Sequence, residues 1–191
     1  NQIYYIFGIK SEAYYTHVYP ISFGLEDPYN TPLVVYSEVD MSLNNGLGAV
    51  TENKNVVIAD FDEPAYGRVT ATHHADGNQI WVMFHSLYNC EFKAFLVSEN
   101  GVNPEPVISE RGFSENEYPD AVCQMKFSPD GTKLAKSYQT VTNMKMEIFG
   151  FDKSTGKINN ILATLDDFDF AEDGEIFGVQ GMEFSPNSRF L

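Results

Sequence analysis

The chain has 191 residues, of which 43% are hydrophobic and 14% aromatic, and its 12 basic against 27 acidic side chains leave a net charge of −15. That charge repels phosphate backbones and anionic lipid, which excludes nucleic acid and membrane surfaces as natural partners. The apolar content is enough for an ordinary domain core and excludes a disordered linker, while no apolar run is long enough to span a bilayer.

In chain order, strands are expected at 4–7, 33–39 and 56–58, with an insertion at about 9–31 between the first two. They make the last three strands of a first unit at about 1–58. A complete second unit follows at about 66–109, with apolar runs at 80–84 and 92–97. A third occupies about 121–165, with runs at 134–138 and 146–151, and the innermost strand of a fourth opens near 178–184, in a segment at about 177–191. The units keep step: Gly46, Gly101 and Gly156 recur every 55 residues, and Asp76-Gly77 returns 54 residues on as Asp130-Gly131. Phe127-Ser128-Pro129-Asp130-Gly131 returns 57 residues on as Phe184-Ser185-Pro186-Asn187-Ser188.

Four short strands per unit of about 55 residues, with no helical period between them, indicate an all-β chain built as a β-propeller. The expected architecture is a single partial propeller domain of about three and a half four-stranded blades. Both ends fall inside elements, so the remaining blades of a larger, seven-bladed ring are expected elsewhere and count among its partners. The turns have a mechanism. Pro fixes φ at the first corner, Asp bonds its own backbone, and Gly takes the positive φ, so the recurrent glycines are backbone geometry and not ligand contacts.

Chemistry-bearing residues are few. Cys90, in a loop between strands, and Cys123, at the start of the next unit, fall on one rim of neighbouring blades, so a disulfide between them is geometrically possible; the alternative for Cys123 is a small buried apolar residue. His73 and His74 are adjacent on a strand and point to opposite faces, so they cannot both bind one metal without a kink. His74 stands before the Asp76-Gly77 turn, where an imidazole can bond turn backbone. His85 flanks the Trp81 strand, and His17 lies in the insertion. The acidic run at 166–175 has calcium-like composition but lacks the EF-hand order, which favours a solvated loop. No metal and no cofactor are assigned. The insertion gathers Tyr14, Tyr15 and Tyr19 in a long surface loop, and tyrosine offers large contact area and a hydroxyl at low entropy cost.

The stretch from Val39 to Val50 (VDMSLNNGLGAV), then His74-Ala75-Asp76-Gly77, Trp81-Val82, Phe95-Leu96-Val97 and Gly101-Val102, resembles the propeller region of large secreted proteins of gliding bacteria. The segments 149–156 and 181–191 extend the similarity over roughly residues 33–191. Those proteins carry PKD-like modules and a type IX secretion sorting domain. The resemblance implies a secreted or cell-surface location and supplies no catalytic motif.

The reading that follows is a non-catalytic, secreted or cell-surface binding or adhesion module. Its partner would be a polysaccharide or another surface protein, met through Tyr14, Tyr15 and Tyr19. The alternative is a propeller-type glycan-active enzyme with its site in the central channel.

Overall fold

The computed structural model describes residues 2–10, 33–60, 69–85, 90–112, 124–139, 144–165 and 181–191. Among them are thirteen β-strands and one 3-10 turn at Asn44–Gly46, so the protein is all-β, with several antiparallel sheets. No described helix is long and apolar enough to cross a membrane. The chain groups into two compact units, Asn1–Gly67 and Arg68–Leu191.

In the first unit, strand β1 (Ile3–Lys10) pairs antiparallel with β2 (Leu33–Asp40), which also pairs with β3 (Ala49–Val50) and β4 (Val56–Asp60). β1 outruns the expected 4–7 because its ladder continues to Lys10 opposite Leu33. Residues 9 and 10 are therefore strand, and the rest of the expected insertion lies outside the described residues. Side chains two apart share a face, which brings Tyr5, Phe7 and Tyr36 together with ring centroids 5.8–6.5 Å apart. Partial burial, then the neighbouring Glu38 carboxylate, raises the Tyr5 hydroxyl above its ordinary pKa.

The second unit holds two meanders. In one, β5 (Val69–His73), β6 (Ile80–His85) and β7 (Glu91–Ser98) pair in sequence; β7 then pairs with both β8 (Gly101–Val102) and β9 (Val107–Glu110). In the other, β10 (Met125–Phe127), β11 (Lys133–Gln139), β12 (Met144–Asp152) and β13 (Lys157–Leu165) run in order. The expected weak fourth run is thus split into β8 and β9 in one sheet and continuous in the other.

The two sheets pack face to face. Trp81 and Met83 of β6, Phe92 and Ala94 of β7, Leu134 of β11, Phe149 and Phe151 of β12 and Ile158 of β13 form one buried cluster. Trp81, Val82, Met83, Phe92 and Phe95 are each at most 5% exposed, as the apolar runs predict. The alternation of the strands decides which of them meet: Trp81 and Met83 lie on one face of β6, whereas Val82 lies on the other.

The recurrent turns match in atomic detail. The Gly131 N–H donates to the Ser128 carbonyl and the Ser188 N–H to the Ser185 carbonyl, each at 2.8 Å. Gly131 has φ +70° and Ser188 takes φ +57° at the same place, so the glycine is replaceable there at the cost of some backbone strain. Residues 181–184, expected to be strand, carry none. Across the turn the described residues form a single backbone rung, from the Ser185 N–H to the Phe190 carbonyl.

Candidate functional site

One sheet-to-sheet interface in the second unit changes character along its length. Near the turns it is apolar, with Trp81, Phe151 and Ile158. At the other end it is polar, because the same strand faces carry His85, Lys136, Tyr138 and Glu147. The parity is direct: Trp81, Met83 and His85 alternate along β6, and Leu134, Lys136 and Tyr138 along β11. Across the ladders, His85 is opposite Phe92, and Lys136 is opposite Glu147.

These four side chains are almost wholly shut from solvent, with His85 at 0%, Lys136 at 1%, Tyr138 at 2% and Glu147 at 3% exposure. Lys136 Nζ lies 2.7 Å from His85 Nε2. The same ammonium sits 3.7 Å from the centroid of the Tyr138 ring and 5.7 Å from that of Phe92, so two aromatic faces receive it. The His85 and Phe92 rings meet edge to face at 4.3 Å. A β-carbon added at Gly112 would fall 2.6 Å from Glu147 Oε2 and 2.9 Å from the Tyr138 hydroxyl. The carboxylate and the phenol therefore converge on the Gly112 backbone, where only a glycine leaves them room.

The cluster forms where four elements end or begin. His85 closes β6, Gly112 follows β9, Tyr138 stands near the end of β11, and Glu147 near the start of β12. The arrangement supplies one carboxylate to accept a proton and an ammonium, a phenol and an imidazole to donate one. Removing such groups from water costs several kcal/mol per ion unless partners compensate, and apolar side chains fill the equivalent places a few residues along the same strands. A group of buried ionisable side chains drawn together in this way is a candidate functional site.

The residues singled out in the sequence fare differently. His74 is a turn residue: Asp76 N–H donates to its Nδ1 at 3.1 Å, and its Nε2 donates to the Ser154 carbonyl at 3.2 Å. Trp81 Nε1 likewise donates to the Lys153 carbonyl at 2.8 Å, so both rings anchor the next sheet's hairpin. His73 is exposed, on the opposite face of β5 from Thr72. Cys90 is a half-buried free thiol immediately before β7. Cys123, Tyr14, Tyr15, Tyr19, His17 and the acidic run at 166–175 lie outside the described residues. Among the described residues no three His, Cys, Asp or Glu side chains form a group able to hold a metal ion.

Lys136, Tyr138 and Glu147 escaped the sequence reading, which treated 134–138 and 146–151 only as strand-forming runs. A signal was present in their parity. Lys136 falls between Leu134 and Tyr138 on a core-facing register, and Glu147 falls two residues before Phe149 on another.

No protein-family model and no curated protein matches the chain. Among solved structures, it superposes on a Bacteroides fragilis protein described as a "putative 6-phosphogluconolactonase", with a TM-score of 0.50 and 13% identity. The match covers 83% of this chain and 42% of that one, so the chain spans less than half the length of the protein it resembles. At this identity the likeness shows the fold, which is propeller-like. It also corrects the expectation of a non-catalytic binding or adhesion module: the protein with which this chain shares its fold is described as an enzyme, and that favours the enzyme alternative.

Proposed function

We propose that the chain is part of a propeller enzyme that hydrolyses a sugar-derived cyclic ester, with His85, Lys136, Tyr138 and Glu147 as its acid–base groups. The sheets are read as blades of a larger propeller. The observation that carries this reading is the 2.7 Å approach of Lys136 Nζ to His85 Nε2 inside a sheet interface whose other end is apolar.

The balance of groups favours an ester over a glycoside. Glycoside hydrolysis ordinarily uses two carboxylates flanking the scissile bond. Among the described residues this cluster has one carboxylate, Glu147, beside three proton-donating groups. Acyl hydrolysis needs just such a set: a base to take a proton from water, and donors aimed at the oxygen on which charge develops. Glu147 suits the first role, and Tyr138 and the His85 ring, with Lys136 Nζ behind it, the second. In a water-excluded site such donors act at low dielectric, where their stabilisation of charge is largest. The lactone description of the Bacteroides fragilis protein supports the same substrate class.

The test is lactone hydrolysis followed by titration of released acid at constant pH, with a neutral six-carbon sugar lactone as probe. The wild-type chain is expected to exceed the spontaneous rate by at least about tenfold, a modest demand given that one positioned acid or base contributes about 100-fold or more. Glu147→Gln should return the rate to background and Lys136→Met should lower it, while far-UV circular dichroism still reports strand. A folded wild-type protein with only the spontaneous rate would sink the reading.

A further inference from the structure

We infer that Lys136 is a positioning residue that holds His85 as the tautomer protonated on Nδ1, with Nε2 as a lone-pair acceptor. The inference rests on the proposed hydrolase only for its catalytic consequence. Its physical content is separate.

An ammonium group has three donors and no acceptor. At 2.7 Å from Lys136 Nζ, His85 Nε2 must therefore offer its lone pair whenever the lysine is charged, and the ring proton must reside on Nδ1. The ring faces around Nζ offset part of the cost of burying a charged lysine. The Tyr138 ring lies 3.7 Å from Nζ and the Phe92 ring 5.7 Å away, and aromatic faces attract a cation but not an amine lone pair. Glu147, the directly opposed residue on the neighbouring strand, brings a negative charge to the same face.

The groups on each neighbouring element agree with this. β6 contributes His85 itself and β7 the uncharged Phe92 ring; β11 contributes Lys136 and Tyr138, and β12 the carboxylate of Glu147. Lys145, opposite Tyr138, is half-buried, and Arg111 beyond β9 is turned to the Asn159 carbonyl at 3.0 Å. Among the described residues the cluster thus holds one buried cation, Lys136, directly opposite one buried carboxylate, Glu147.

For the proposed reaction this makes the ring a conduit. As a departing alkoxide takes the proton from Nδ1, the Lys136 ammonium passes one of its protons to Nε2. The products are a neutral lysine, an imidazole protonated on Nε2 and an alcohol, so protons and charge balance. Lys136 then acts through His85, and its replacement should lower kcat while leaving KM nearly unchanged.

The decisive measurement is long-range proton–nitrogen correlation of the imidazole rings in uniformly nitrogen-15-labelled protein. His85 is assigned as the ring whose signals vanish in His85→Gln. The Nδ1-protonated form should exceed the other by about tenfold or more, the ratio expected from one hydrogen bond to a charged donor. In Lys136→Met, checked for retained dispersion of its amide spectrum, the excess should collapse towards the Nε2-protonated form. A wild-type His85 protonated on Nε2 would overturn the inference regardless of activity, and so would an unchanged Nδ1 tautomer in a folded Lys136→Met. Failure of lactone hydrolysis with the Nδ1 tautomer present overturns only the functional reading.

Discussion

Single residues carry unequal weight because the same backbone requirement meets different surroundings. Gly77 and Gly156 both hold φ near +75°, at +76° and +75°, where an L side chain is strained. A β-carbon at Gly77 meets nothing within 4 Å, whereas one at Gly156 would fall 2.7 Å from the Trp81 ring. Gly77→Ala should therefore cost about 1–2 kcal/mol from strain alone, and Gly156→Ala clearly more, since the ring is held by its hydrogen bond to the Lys153 carbonyl. Equal denaturant midpoints for the two variants would contradict the close approach. Trp81→Ala, which empties the middle of the sheet interface, should cost roughly 3–5 kcal/mol. Lys136→Met alone removes a buried cation directly opposite Glu147, for a cost of about 3–5 kcal/mol, and Glu147→Leu in the same chain should recover part of it. A double variant no more stable than Lys136→Met would show that the two charges do not compensate one another.

At the scale of an element, the repeated turn shows how two side chains do one job with different pH dependence. The Ser128 hydroxyl donates to Asp130 Oδ1 at 2.6 Å, and the Ser185 hydroxyl to Asn187 Oδ1 at 2.8 Å. Partial burial alone would raise the Asp130 pKa, but hydrogen bonds from Ser128 and Thr132 and the nearby Lys133 ammonium together lower it to about 2, against an ordinary 3.8. A carboxyl whose folded-state pKa is depressed stabilises the fold fully above its ordinary value, and that stabilisation is lost as pH falls from about 4 through about 2. Asp130→Asn should keep the turn, as Asn187 does, and lose less stability than wild type on acidification over that window. Acid titrations of the melting temperature would check it; parallel curves for the two proteins would refute the assignment.

At the scale of the whole molecule, the net charge of −15 acts on the proposed substrate class. A phosphorylated lactone meets a repulsive field that a neutral one does not. The neutral lactone should have the higher kcat/KM at low ionic strength. Raising salt towards about 0.15 M, where the screening length falls to about 8 Å, should help the phosphorylated substrate selectively. A preference for the phosphorylated lactone that weakens with salt would instead reveal a local cationic site that dominates the overall charge.

The repeat, the strand class and the turn chemistry were legible in the sequence because they are local. A period of two, a Ser-Pro-Asp-Gly corner and a glycine with positive φ depend on neighbours a few residues away. That is why the run at 80–84 appears as β6 and the corner at Asp130 recurs at Asn187. His74 was likewise legible as a turn residue. The ends of elements were less so: β1 runs on to Lys10 because a partner strand more than twenty residues away accepts it, and residues 181–184 form no strand because the ladder beyond their turn has one rung. The candidate site was decided only by tertiary structure. His85 and Lys136 are 51 residues apart and meet because two sheets stack with matching parity. Glu147 joins them through the register of β11 on β12. Sequence marks a charged residue on an apolar face as an anomaly, but the packing of one sheet on another determines which anomalies become neighbours.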